Sequence, residues 1–222
     1  MNLEHLEKAI EEKKSIDAFK KVNHVAKLER FIAAILIFTP LILYLADLKC
    51  RTIFRESISN YFFMLDNYWF GSLMTLASAL FIFNGAQHMY IQQTGDERLI
   101  KAESRFGKGY NFIFGIALLG VLYFDHIKYV WLHYIFAIIF FMGCALAMLL
   151  AKQTELKLKG EILGTLTLLS LGIHFLLEYC ILLDDNPFTL LWAEWIGLFF
   201  IAIYFILESF ARDNREKEEG LI

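Results

Sequence analysis

His133, His174, Glu178 and Glu194 stand inside apolar runs of this 222-residue chain. An ionisable group inside a membrane span is costly, so it turns to the bundle interior, finds a partner and often marks a site. His174 and Glu178 have the i, i+4 spacing that predicts a shared helical face. Histidines with carboxylates form a ligand set for Zn²⁺, and a position left open on the ion acidifies a bound water. The residues that fit this chemistry are His133, His174 and Glu178 as metal ligands, with Glu194, Ser59 and Asp66 as catalytic candidates. A plainer reading competes: His174 and Glu178 form a buried hydrogen-bonded pair, and His133 is an interfacial residue beside Trp131 and Tyr134. No H-E-x-x-H, G-x-S-x-G, phosphate loop or C-x-x-C is present, so those mechanisms have no motif support.

Depth links these groups. At a rise of about 1.5 Å per residue, Glu178 lies about 7–8 Å and His174 about 13 Å from Leu183, and Glu194 lies about 10 Å from Pro187. Asp66, Asn67, Asp125 and His126 fall at the same rim. Together they predict a cup of histidines and carboxylates, with the Ser57–Tyr61 loop as its lid or wall. Ser57 and Ser59 fit the cap of a short re-entrant helix better than a nucleophile, because no adjacent base is identifiable. His88, near the opposite end of its span, reads as an interface marker.

The elements that must position these residues are membrane spans. Hydrophobic residues make up 58% of the chain, mean hydropathy is +0.50, and Phe occurs 22 times. Six apolar segments approach the length of about 20 residues that crosses a bilayer core, near 31–48, 67–91, 108–125, 130–151, 161–183 and 187–209. The last two are joined by D-D-N-P, where Asp184, Asp185 and Asn186 favour a turn and Pro187 can open a helix. Of 21 Lys and Arg, 17 fall on the side of both termini. The positive-inside rule then makes both termini cytoplasmic and the cup extracytoplasmic. Trp69, Trp131, Trp192 and Trp195 fall at or near the outer ends, as an interfacial belt would place them.

The chain therefore divides into a cytoplasmic amphipathic helix over 1–30, a six-span bundle over 31–210 and a charged cytoplasmic tail over 211–222. The N-terminal segment has no apolar core or cleavage site of a signal peptide. Leu3, Leu6, Ile10, Phe19, Val22 and Val25 recur at mostly helical spacing, which suits the membrane surface or a protein partner. Its seven basic and six acidic residues nearly cancel, and no nucleic-acid patch is visible. Cys50, Cys144 and Cys180 make no disulfide framework; Cys144 reads as a buried thiol, and a Cys50–Cys180 bridge stays open. The fold class is an all-α polytopic bundle in a membrane, N-in and C-in.

Ser57-Ile58-Ser59-Asn60-Tyr61, Gly71, His133-Tyr134 with Ala137, Phe140 and Phe141, and Glu194 near Trp195 carry a resemblance. Over roughly 31–210 the chain resembles a family of uncharacterised bacterial six-span integral membrane proteins with an S-I-S-x-Y-Y motif after the first span. Phe62 replaces the second Tyr, and Asn67, with Asp66 beside it, stands where that family has an acid. The resemblance implies a six-span bundle. A remote similarity in kind is to the membrane hydrolases that include alkaline ceramidases and adiponectin-type receptors. Those set a Ser, an Asp and three His around an intramembrane zinc in seven spans. Ser59, His133, His174 and the acids are similar, but the H-x-x-x-H and S-x-x-x-H pairs are missing. Two functional expectations follow. One is a metal-dependent hydrolase of a lipid or lipid-linked substrate; the other is a non-enzymatic sensor, small transporter or partner subunit.

Overall fold

A computed structural model describes residues 3–47, 55–62, 68–93, 108–124, 128–151, 155–181 and 187–218. Among these residues the protein is all-helical. The helices are α1 (Leu3–Ala46), the one-turn α2 (Ile58–Phe62) and α3 (Tyr68–Gln93). A 3₁₀ turn (Lys108–Tyr110) then leads into α4 (Asn111–Tyr123), followed by α5 (Val130–Leu149), α6 (Lys157–Phe175) and α7 (Leu190–Glu218). Four stretches are long and apolar enough to cross a membrane: Lys27–Leu45, Val130–Leu149, Lys157–Cys180 and Leu190–Arg215. The expected spans near 67–91 and 108–125 correspond to α3 and α4. α4 has 13 residues, and α3 buries Ser78, Asn84 and His88 among its apolar residues. The expected boundaries at 30 and 211 both fall inside helices, α1 and α7.

The long helices close a ring. α1 packs on α3, α3 on α4, α4 on α5, α5 on α6, α6 on α7, and α7 back on α1. Short connections favour such sequential neighbours. Apolar surface gains little from helix association in lipid, so close packing and hydrogen bonds carry it. α3 and α4 show this most clearly. Ser78 Oγ donates to the Gly115 carbonyl at 2.6 Å, and a Cβ on Gly115 would lie 2.7 Å from the Ser78 carbonyl oxygen. In the middle of the ring Phe81 meets Phe140 and Phe205 edge-to-face, with centroids 5.7 and 5.0 Å apart. This aromatic geometry adds to the burial itself.

Candidate functional site

α2 and the start of α7 cap each other. Ser57 precedes α2 and its Oγ accepts the Asn60 N–H at 3.3 Å, the N-cap geometry expected from the sequence. Ser57 Oγ also lies 2.8 Å from Ser59 Oγ, and both serines are fully buried. Glu194 Oε2 accepts the Ile58 N–H at 2.8 Å. In return the Glu56 carbonyl accepts the Leu191 N–H at 2.8 Å. Each helix thus satisfies an orphan donor of the other. The loop reaches α7 as expected, whereas its remaining helical contacts are to α1, α3 and α4 rather than α5. Arg55 anchors it: Nε donates to Asp47 Oδ2 at 2.6 Å, and the backbone N–H donates to the Tyr61 hydroxyl at 3.2 Å. Burial raises the pKa of the Tyr61 phenol above its usual value.

His133 turns inward from α5 and is fully buried. Its Nδ1 lies 3.0 Å from the Phe124 carbonyl and 3.2 Å from that of Val121. Both are acceptors, so Nδ1 carries the proton and donates. In the neutral ring Nε2 is then a lone pair, and it stands 3.8 Å from Glu194 Oε1. Glu194 is 2% exposed, and Oε1 has no hydrogen-bond partner among the described residues. With a proton on Nε2 as well, the two groups form a buried ion pair.

The other expected site residues stand elsewhere. His174 is buried, and its Nδ1 bonds the Phe188 carbonyl at 3.0 Å. Glu178 is exposed, so the expected common face of His174 and Glu178 does not form. A π turn over Leu176–Cys180, closed by Ile181 N–H to the Leu176 carbonyl at 3.0 Å, shifts Glu178 out of α-helical register. Among the described residues no group of three His, Cys, Asp or Glu could hold a metal ion. Asp66, Asn67, Asp125, His126, Asp184, Asp185 and Cys50 lie outside the described residues. Cys144 is buried as expected.

Glu194 also lines a cavity of about 300 Å³ between α5, α6 and the start of α7. Its walls are apolar, with Phe141, Met142, Leu168, Leu171 and Phe175 among them. Ile138, Met142 and Gly172 line it and are exposed, so the cavity opens on the flank of the bundle.

A second polar cluster lies at the other end. His88, expected at the interface, is 0% exposed, as are Glu29 and Glu208, and Arg212 is 1% exposed. His88 Nε2 lies 3.4 Å from Glu29 Oε1 and 3.5 Å from Arg212 Nη2. Arg212 is 3.8 Å from Glu29, and Arg215 donates to Glu208 at 3.2 Å. Beside them Arg30 pairs with Asp213 and donates to Ser209 Oγ at 3.0 Å. Sequence reasoning missed this cluster by assigning Glu29 and Arg212 to surface segments. The available signal was spacing: Glu194, Ile201, Glu208 and Arg215 recur every seven residues and share one side of α7.

Fold and site together define an all-helical bundle of membrane type, with a buried carboxylate–imidazole pair at one end and a buried ionic cluster at the other. The chain belongs to a family of unknown function, DUF7103, which matches residues 38–209. Comparison with curated proteins and with solved structures gives no match.

Proposed function

We propose that this protein is a six-span, N-in and C-in protein of the bacterial inner membrane that binds a lipid or lipid-linked amphiphile from the outer leaflet, with Glu194 receiving its polar head. One observation carries the reading: a cavity of about 300 Å³, apolar along its walls and open on the flank, that is lined by the buried Glu194. Ligand sites are concave and mostly apolar, with a few polar groups to fix orientation. α3 and α4 complete the ring as the remaining two spans, and the Lys and Arg distribution supports the orientation.

Hydrolysis of the amphiphile is favoured by a second observation, the buried Ser57–Ser59 hydroxyl pair flanking the amide that binds Glu194. The expected zinc would fall to His133 and Glu194, since His174 is held by the Phe188 carbonyl and Glu178 is exposed. Transport has less support. Along α7, Leu198, Ile201, Ala202 and Phe205 are buried between Glu194 and Glu208, an apolar stretch about 20 Å long at the helical rise. A protein partner at the N-terminal helix remains compatible with each reading.

Two measurements test the proposal. In nanodiscs, a photoreactive single-chain amphiphile should label the protein saturably, at Phe141 and Leu168. Labelling spread evenly over the lipid-facing surface overturns it. In a background free of native cysteines, an outside-added thiol reagent should reach a cysteine at Asn186 and miss one at Asn214; the reverse pattern overturns the orientation.

A further inference from the structure

α6 carries glycines of two kinds. A Cβ on Gly160 would come within 2.5 Å of the Met148 carbonyl oxygen, and one on Gly164 within 2.7 Å of that of Ala145. These two glycines let the backbones of α5 and α6 touch. Two turns further on, a Cβ at Gly172 would meet nothing within 4 Å. The helices are thus in contact at one end and apart at the other, and the wedge between them is the groove that Gly172 and Glu194 line. The contact of Gly164 with Ala145 is its floor, one turn beyond Leu168 and Phe141 on its walls. At the other end the hydroxyls of Tyr134 and Tyr179 lie 3.0 Å apart and join α5 to the π turn after α6. With both ends closed, the way in is from the flank, past Gly172.

Depth and width limit what fits. Tyr134 and Met142 line the groove eight residues apart on α5, a rise of about 12 Å. About 300 Å³ over that length leaves a mean cross-section of about 25 Å². A helix, about 10–12 Å across, is too wide to enter; a single polymethylene chain is not. The long axis runs with the helices, as the tails of surrounding lipid do, so a chain slides in sideways without turning. A cavity of about 150 Å³ encloses one benzene ring of six carbons. This one has about twice that volume and holds about a dozen carbons. The bilayer is itself apolar, so moving a methylene from lipid into the groove gains little. Selection therefore falls to fit: a short chain leaves a void, and a long one meets the floor.

We propose, resting on the amphiphile reading above, that the groove selects its ligand by chain length and takes one unbranched hydrocarbon chain of about a dozen carbons. The chain enters past Gly172, with its polar head toward Glu194 and the tyrosine pair and its tail end on the Gly164–Ala145 floor. The test is competition against the photoreactive amphiphile in nanodiscs by octanol, decanol, dodecanol and hexadecanol, which share one head and differ in length. Each is scaled to its mole fraction in the disc, with protein-free nanodiscs as the partition control. Dodecanol should displace the probe at about a tenfold lower mole fraction than octanol, which leaves about a third of the space empty. Hexadecanol should do no better than dodecanol. Leu168→Trp raises the floor at a half-buried position and should move the optimum to decanol or octanol. Gly172→Phe should abolish saturable labelling while leaving the fold intact. Displacement that improves steadily through hexadecanol, that is equal for all four alcohols, or whose optimum Leu168→Trp does not move, overturns the length assignment and leaves the amphiphile reading standing. Labelling untouched by any alcohol and by Gly172→Phe overturns both.

Discussion

At one end of the bundle Glu29 and Glu208 meet Arg212 and Arg215 around His88; at the other, Glu194 meets His133 and the amide of Ile58. The first cluster draws on α1, α3 and α7, and its two carboxylates are matched by two guanidiniums. The second sets one carboxylate 3.8 Å from one imidazole, whose other ring nitrogen faces the Val121 and Phe124 carbonyls. The first ties three helices together by several charges; the second is a single carboxylate that also lines a cavity. Composition alone would not separate them, since both combine Glu and His on buried faces. The difference lies in what the remaining lone pairs and protons face.

On this contrast the His88–Glu29–Arg212 cluster is the more costly to break. Arg212→Ala leaves Glu29 buried without its guanidinium, a change expected to cost about 3–5 kcal/mol. Thermal unfolding in detergent should show a large loss in Tm, and adding Glu29→Gln should recover part of it, because the two residues are in one network. A small loss, with no recovery in the double variant, would mean that the cluster is solvated and is not a clamp.

The Glu194 site should respond more gently in stability and more sharply in binding. Glu194→Ala leaves the Ile58 amide unsatisfied, at about 1–3 kcal/mol. Glu194→Gln keeps that hydrogen bond and should cost less, although it removes the charge. A Tm loss for Glu194→Gln as large as that for Arg212→Ala would erase the distinction between clamp and binding site.

The two ends were also unequally legible in the sequence. Glu194, His133 and the Ser57–Tyr61 loop stood out because they sit within or against apolar runs, where a polar group must have a partner. Glu29, Glu208 and Arg212 sit at the edge of such runs, where charged residues ordinarily reach water. Only the closure of α7 on α1 buries them, and that is a tertiary fact. The seven-residue recurrence of Glu194, Glu208 and Arg215 was available and went unused. Helix identity followed from the apolar runs; at 30 and 211 the charge changes while the backbone continues as helix. Glu178 was misplaced for a local reason: i, i+4 spacing assumes α geometry, and the chain makes a π turn there. Nothing in L-L-E-Y-C announces that turn.

The smallest expected effect tests the comparison through glycine, and its sign differs between a position on α4 and one on α6. A Cβ at Gly115 would stand 2.6 Å from the Ile82 side chain and 2.7 Å from backbone atoms of Ser78 and Ile82. Backbone cannot swing aside, so Gly115→Ala should separate α3 from α4, weaken the Ser78 hydrogen bond and cost about 1–3 kcal/mol, as overpacking does. Gly172→Ala meets no such obstacle. It should stabilise the helix by about 0.5–1 kcal/mol, visible as a modest rise in Tm, while its single methyl leaves the groove passable. Gly172→Ala should therefore keep saturable amphiphile labelling that Gly172→Phe loses. A fall in Tm for Gly172→Ala comparable to that for Gly115→Ala would show that Gly172 is a packing glycine after all. The groove would then be closed by contact with another helix, and the route to Glu194 would have to lie elsewhere.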